Sequence, residues 1–573
     1  MSNFSLRLRS AGMRVQRQRV WRTAGCVLGL IVVASALVAP GYVRAAGVPE
    51  IETVEGPIQG FAKGGVNEFL GVPYAQPPVG DMRWRPPVTH APWTGVLQAK
   101  AFGPACAQVT TLGVFAGPAN ENEDCLYLNV FMPNVPPFAG QKLPVLVWIH
   151  GGGLFDGASN DYDATALATK GPMVVVTLNY RLGLFGFLAH PALDGDGHPF
   201  ANYGLLDQQA SLAWVNRNID RFGGDKNNVT LAGQSAGARS VIANLTSPFA
   251  KNLFQRAILE SGGYAGFAPL PFAESKGRDF AVAAGCGSGA SPTVAKCLRA
   301  LPAARVMALS GTASVNAPYV TGFIVDGEVL PLREMGALQG GHFNHVPVLN
   351  GSVRDEGNFF IAISEYFSGP PRMARGKADY DTAVTKIYKG NAGPLGSPPA
   401  YPTGTVKKVL AQYPVDAYAS PQLALSAVLT DPMVCRARHL NQILAGQVPV
   451  YAYEFDDRTA PAYFPEMPGF VPYAYHTSDL QYLFPLYHGG NAGVSHPLSP
   501  RQRALSDQIV AGWANFARTG NPNGTAGRPW PRFENKPTRP AYLSENIPAL
   551  STLSDEQYSA RHHCEFWEKD LTY

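Results

Sequence analysis

Phe222-Gly-Gly-Asp-Lys-Asn-Asn-Val-Thr-Leu-Ala-Gly-Gln-Ser-Ala-Gly237 holds Ser235 at the centre of Gly-Gln-Ser-Ala-Gly. Val229 to Ala232 is a short apolar run that reads as a buried strand, and Ala238 to Leu245 carries a helical pattern. Between them the chain must turn sharply, with Ser235 at the apex. A serine hydroxyl is a poor nucleophile unless the backbone presents it to a base, and such a turn does so. Gly233 and Gly237, two before and two after the serine, remove side chains that would clash there. The turn also bares the N–H of Ala236, a donor suited to a developing oxyanion.

Further runs resemble the first. Pro144 to Ile149, Val174 to Leu178, Val346 to Leu349 and Val450 to Phe455 read as buried strands, and Leu205 to Asn218 as a helix. Strands without polar alternation, separated by helices, predict an α/β protein with a large, mostly parallel sheet covered on both faces. Sites in such sheets form at the carboxyl ends of the strands. Directly after Ile149 comes His150-Gly-Gly-Gly153, where glycines let N–H groups approach a reacting atom. With Ser235, this segment supplies the second half of an oxyanion hole, through Gly152 and Gly153.

Residues 1–45 read as a cleaved export signal: seven arginines, no acid, an apolar run from Ala24 to Ala39, and Val43-Arg44-Ala45 as a cleavage site. Without them the chain carries 39 basic against 42 acidic residues, a formal charge of −3, so nothing in its charge points to nucleic acid. The apolar run is short for a spanning helix, so no stable membrane anchor is expected. Residues 46–573 read as one domain with inserted cap segments. Gly390 to Gly404 and His488 to Ser499 are its clearest loops. Outside the signal, which contains Cys26, six cysteines remain: Cys106, Cys125, Cys286, Cys297, Cys435 and Cys564. Spacing leaves fifteen pairings open. The economical one joins 106 to 125 and 286 to 297, leaving 435 with 564. Neither Cys-x-x-Cys nor His-Glu-x-x-His occurs, so no metal and no cofactor is expected. Asn228, Asn244 and Asn523 fit the glycosylation pattern.

These motifs together resemble the type-B carboxylesterases, the α/β-hydrolase family that includes cholinesterases, bacterial carboxylesterases and fungal lipases. Phe222 to Gly237 is similar to one family signature, and Glu123-Asp-Cys-Leu-Tyr-Leu-Asn-Val130 with Pro133 to the other. Phe69 to Gly80, Asn202 to Gln208 and Trp513…Gly520-Asn-Pro522 resemble further family segments, so the likeness runs from about residue 50 to Trp567.

The resemblance implies a nucleophile, acid and base in the order Ser, Glu or Asp, His. It points to Glu356, in Arg-Asp-Glu-Gly after a strand. By chemistry alone, Asp355 is an equal candidate. Among His439, His476, His488, His496, His562 and His563 chemistry does not choose. The segment Ala-Tyr-His-Thr-Ser-Asp-Leu resembles the family's histidine segment and implies His476, with His488 next. The resemblance also implies disulfides from Cys125 to Cys106 and from Cys564 to Cys435, and a structural ion pair between Arg83 and Glu123.

The implied activity is hydrolysis of a small-molecule ester by water through an acyl-Ser235 intermediate. A long-chain lipase and a non-catalytic adhesion-type homologue are the alternatives. The Thr111-Leu-Gly-Val-Phe115 tip of the Cys106–Cys125 loop would touch lipid or line the site's mouth. Two departures bear on substrate. Gln234 stands where the family commonly has Glu, and the Cys106–Cys125 loop has no tryptophan on which a quaternary ammonium could stack. Neutral esters are therefore the expected substrates. Oligomeric state, and periplasm against extracellular medium, stay open.

Overall fold

The computed structural model describes residues 48–109, 113–134, 141–194, 201–263, 266–310, 319, 322–368, 376–389, 401–467, 470–489, 492–524 and 529–570. The segment read as an export signal (1–45), Thr111 and Leu112 of the loop tip, and 390–400 lie outside them. Among the described residues, eleven strands make one sheet. In chain order they are β1 (Phe61–Lys63), β2 (Val66–Pro73), β3 (Tyr127–Pro133), β4 (Leu143–Ile149), β5 (Val174–Leu178) and β6 (Gly224–Gln234). The rest are β7 (Arg256–Glu260), β8 (Val348–Val353), β9 (Val450–Phe455), β10 (Pro540–Glu545) and β11 (Ser551–Ser554).

The spatial order is 11-10-9-8-7-6-4-5-3-2-1. From β10 to β5 every neighbouring pair is parallel, and the pairs at both flanks are antiparallel. All seven residues of β4 and all five of β5 are buried, as expected for strands covered on both faces. The expected strand at Val346 begins two residues later, because Pro347 has no N–H to give a ladder. β1, β2, β3, β7, β10 and β11 were not anticipated; β7 and β10 mix charged and polar residues with apolar ones and so do not stand out from their flanks.

After β4 the chain crosses to β5 on one side, then returns to β6 on the other. This reversal opens a crevice at the carboxyl ends of β4 and β6, where His150-Gly-Gly-Gly153 and Ser235 lie. Two helices hold the reversal in place. α1 (Tyr203–Asn218) is tied to the end of β5 by a buried ion pair, Arg181 Nη2 to Asp207 Oδ1 at 2.7 Å. α2 (Ala236–Thr246) starts at the nucleophile turn and is buried along its whole length. Asn244 lies inside α2, fully buried, donating to Gln208 Oε1 at 3.1 Å. Of the three glycosylation sequences, this one is closed in the folded chain.

Three disulfides join Cys106–Cys125, Cys286–Cys297 and Cys435–Cys564. The last pins helix α3 (Cys564–Asp570) to the long helix at Pro421–Ala445. Beside it, the fully buried His562 faces Asp431 Oδ1 at 3.2 Å and Glu454 Oε1 at 2.6 Å. Burial opposes a charge on this imidazole, but the two carboxylates outweigh it and raise His562 to about 9. Its folded value lies above the ordinary value of about 6.5. The stabilisation is therefore complete below about pH 6.5 and is lost as pH rises through about 9, an effect of order 3 kcal/mol.

Two predictions follow from this packing. A Cβ on Gly237 would lie 2.0 Å from the carbonyl oxygen of Ile149, whereas Gly336, in the helix Glu334–Gln339, meets nothing within 4 Å. In urea unfolding, Gly237→Ala should destabilise the protein by more than about 3 kcal/mol. Gly336→Ala should stabilise it by about 0.5–1 kcal/mol; equal midpoints would contradict the packing. Second, the stability gap between the wild type and His562→Gln should be constant below about pH 6.5 and shrink as pH rises through about 9. A gap independent of pH would show that His562 carries no charge.

Candidate active site

Ser235 sits at φ 57°, ψ −123°, a conformation that costs a non-glycine residue about 1–3 kcal/mol. The surroundings enforce it. Ser235 donates its N–H to Glu260 O at 2.8 Å, its carbonyl accepts from Arg239 N–H at 3.0 Å, and α2 starts at the next residue. A Cβ on Gly233 would lie 2.5 Å from Gly237 C, so the two glycines lie against each other across the turn. While its neighbours Gln234 and Ala236 are buried, Ser235 is partly exposed. The strained turn thus lifts one hydroxyl-bearing residue out of an otherwise closed surface.

The end of β4 lies directly over this turn. A Cβ on Gly151 would meet Gln234 O at 3.0 Å and Ser235 Cβ at 3.2 Å. Gly152 and Gly153 follow at φ +96° and +64°, both partly exposed beside Ser235. Beneath them His150 is fully buried, stacked on Tyr180 with ring centroids 4.5 Å apart. Burial pushes its imidazole down to about 4, so it stays neutral.

Glu356 and His476 meet at the far wall. His476 Nδ1 makes a hydrogen bond to Glu356 Oε2, and both side chains are almost wholly buried. The other carboxylate oxygen accepts the N–H of Val353 at 3.1 Å. Asp355, equal to Glu356 by chemistry, has other work. It pairs with Arg458 at 3.0 Å and accepts the N–H of Ala474, and its own N–H bonds Ala474 O. These bonds fasten the loop that carries His476 to the end of β8. Asn358 Nδ2 adds another, to Pro472 O at 2.9 Å. The ring of His476 packs beside Phe359 and Phe360, with centroids at 5.5 and 5.7 Å.

The other histidines after Glu356 are elsewhere. His488 acts on Asp161, and His562 and His563 bond Asp431. Gln234 points its amide at the base: Nε2 lies 3.2 Å from His476 Nε2. With the Nδ1 proton directed at Glu356, the remaining lone pair on Nε2 can accept from this amide. Arg83 binds Glu123, with Nε to Oε2 at 2.7 Å. Phe115, on the Cys106–Cys125 loop, packs on Phe359 and Phe464 with centroids at 5.4 and 5.0 Å.

Sequence reasoning missed a group of acids behind the wall. Glu260, Asp479 and Glu545 are all buried, and Glu260 Oε2, Glu545 Oε1 and both oxygens of Asp479 have no partner. Burial pushes all three upward, and repulsion from Asp479 adds to the rise at Glu260 and Glu545. Asp479, three residues after His476, was visible in the histidine segment. Glu260 and Glu545 were not, because they end two of the strands that gave no pattern. Among the described residues no group of His, Cys, Asp and Glu has the geometry to hold a metal ion.

The chain matches the Carboxylesterase family over residues 47–567. It is 33% identical to Carboxylesterase 1E of Mus musculus, covering 89% of this chain and 93% of that protein. It is also 33% identical to the para-nitrobenzyl esterase of Bacillus subtilis (strain 168), over 87% of this chain and 95% of that one. Identity to the acetylcholinesterase of Bungarus fasciatus is 34%, over 92% and 87%. A serine on a strained strand-to-helix turn, an acid-bound histidine and a glycine loop thus occur in a chain related over most of its length to esterases. The protein belongs to the carboxylesterase family and is a carboxylic ester hydrolase of the α/β-hydrolase fold.

Proposed function

We propose that this protein is a secreted or periplasmic serine carboxylesterase that cleaves neutral esters through an acyl-Ser235 intermediate. The observation that carries the reading is the buried hydrogen bond from His476 Nδ1 to Glu356, on the wall facing the Ser235 turn. Ser235 Oγ attacks the ester carbonyl while His476 Nε2 takes its proton. Glu356 keeps the imidazole in the tautomer whose Nε2 is the base and stabilises its charged form. The N–H groups of Gly152, Gly153 and Ala236 receive the oxyanion. His476 then returns the proton to the departing alcohol, and water repeats the sequence on the acyl-enzyme to release the carboxylate.

Residues 1–45 are the export signal in this reading, and the three disulfides suit an oxidising compartment. No helix among the described residues is long and apolar enough to cross a membrane. The neutral amide of Gln234 beside His476 supports a preference for uncharged alcohols. The aromatic wall of Phe359, Phe360 and Phe115 offers apolar contact and no formal charge.

Hydrolysis of p-nitrophenyl butyrate tests the roles. Ser235→Ala and His476→Ala should each lower kcat on the order of 10⁴-fold or more, and Glu356→Gln should lower it strongly. Asp355→Asn, whose carboxylate holds Arg458, should stay within about threefold of the wild type. Loss of activity in Asp355→Asn with activity kept in Glu356→Gln would reverse the assignment of the acid. Substrate charge is tested with choline acetate and its uncharged isostere 3,3-dimethylbutyl acetate. The wild type should favour the isostere, and Gln234→Glu should shift the ratio toward choline by about tenfold. A wild type that already prefers choline acetate would rule out the neutral-ester reading.

A further inference from the structure

Gln108 joins the Cys106–Cys125 loop to the glycine loop after β4. It follows Cys106 by two residues and is 4% exposed. Its backbone pairs with Asn120 across the base of the disulfide loop, giving an N–H to Asn120 O at 3.0 Å and accepting one from Asn120 at 3.1 Å. The side chain reaches further. Nε2 donates to Cys106 O at 3.0 Å and to Gly157 O at 3.1 Å, and Oε1 accepts the N–H of Gly157 at 2.9 Å. The amide thus pairs with both polar groups of one residue, as a neighbouring strand would.

Gly157 carries this clamp to the site. It sits at φ +104°, and a Cβ on it would lie 2.6 Å from His150 Nδ1 and 2.7 Å from Gly151 O. Its α-carbon therefore rests on the peptide that leads into Gly152 and Gly153. The loop between closes on itself, because Gly152 O accepts the N–H groups of Phe155 at 3.0 Å and Asp156 at 2.9 Å. Past Gly157, Asn160 Nδ2 donates to Gly103 O at 3.2 Å. Asn179 Nδ2 donates to Pro104 O at 2.9 Å, while its Oδ1 accepts the N–H of Ser159 at 2.8 Å. Of these three amides, that of Gln108 holds the residue packed against Gly151.

An oxyanion hole works by having its donors in place before charge develops. Three glycines in succession make a backbone with little stiffness of its own, so the donors must be held from outside. The buried strand β4 fixes one end of the loop, and the Gln108 amide fixes the other at Gly157. We propose that Gln108 is a positioning residue that, through Gly157, sets the N–H groups of Gly152 and Gly153 against the developing oxyanion. The proposal rests on Ser235, Gly152 and Gly153 acting as assigned above. It gives the Cys106–Cys125 loop a part in the chemistry as well as at the mouth of the site. Displaced donors weaken binding of the transition state and leave binding of the ester itself unchanged, so Gln108 acts on kcat and not on KM.

The test uses Gln108→Met, which keeps the length of the side chain and removes the clamp. On p-nitrophenyl butyrate it should lower kcat about ten- to hundredfold and leave KM within about twofold. Asn120 Nδ2 braces the same disulfide loop by donating to Cys106 O at 3.2 Å, so Asn120→Ala loosens that loop and leaves the Gly157 clamp. It should stay within about threefold of the wild type in both constants. Butyl trifluoromethyl ketone, whose adduct with Ser235 carries an oxyanion, should bind Gln108→Met more weakly by the same factor as kcat/KM falls. Butyl methyl ketone, which forms no such adduct, should bind both proteins alike. Hydrogen exchange on the wild type needs no variant to fold. Gly157 N–H should exchange slowly, and more slowly still with the trifluoromethyl ketone bound, because opening the clamp would displace the donors. An unchanged kcat in Gln108→Met, a loss carried by KM, equal weakening of both ketones, an equal loss in Asn120→Ala, or open-chain exchange at Gly157 would each overturn the proposal. Ser235→Ala separates this from the underlying site assignment: if it binds the trifluoromethyl ketone as tightly as the wild type, that assignment fails instead.

Discussion

Where β4 ends above the start of α2, there is no room for a side chain. The carbonyl oxygen of Ile149 stands where a Cβ on Gly237 would be, and Gly237 in turn crowds Gly233. This approach lets the glycine loop after Ile149 lie beside Ser235 instead of several ångströms away. It also keeps the serine in its strained conformation, since relaxing the turn would separate β6 from α2. The strain is affordable because α2 and the central strands are wholly buried, so burial of apolar surface offsets it many times over.

The opposite wall is built by a different means. His476 sits on an irregular loop, and a loop by itself would not hold a base to the accuracy acyl transfer needs. Backbone and side-chain bonds from Asp355 and Asn358 tie that loop to the end of β8, which also presents Glu356. The acid and its base are thus fixed to one strand end, and the nucleophile and its donors to two neighbouring ones. Around this frame lie many buried carboxyl groups, Glu260, Asp479, Glu545 and Asp156 among them, and burial raises each. Each rise reflects the cost of a negative charge buried near the site where an oxyanion forms. Gln234, neutral and bonded to the base, follows the same electrostatic pattern.

Much of this was legible beforehand. The central strands have short, unbroken apolar runs because they are covered on both faces, and that pattern survives in one dimension. The nucleophile turn and the glycine loop were legible because tight turns demand glycine at fixed offsets, and the cysteine pairs were narrowed by resemblance. The acid was not settled by chemistry, since Asp355 and Glu356 differ only in where neighbours from Arg458 and Ala474 reach. The choice among six histidines was equally open to chemistry, because none differs in local composition in a way that marks a base.

By itself, then, the sequence determined the sheet class, the strained serine, the glycine loop and the six cysteines available for bridging. Each depends on residues close together in the chain, or on a residue type that only one backbone conformation requires. The tertiary structure alone decided which carboxylate meets which imidazole, and which carboxyl groups are buried without partners. Those facts depend on strand ends separated by more than a hundred residues meeting at one crevice. Burial then pushes the carboxyl groups of Asp156 and its counterparts upward, and no local pattern in the chain records how deeply a side chain will be buried.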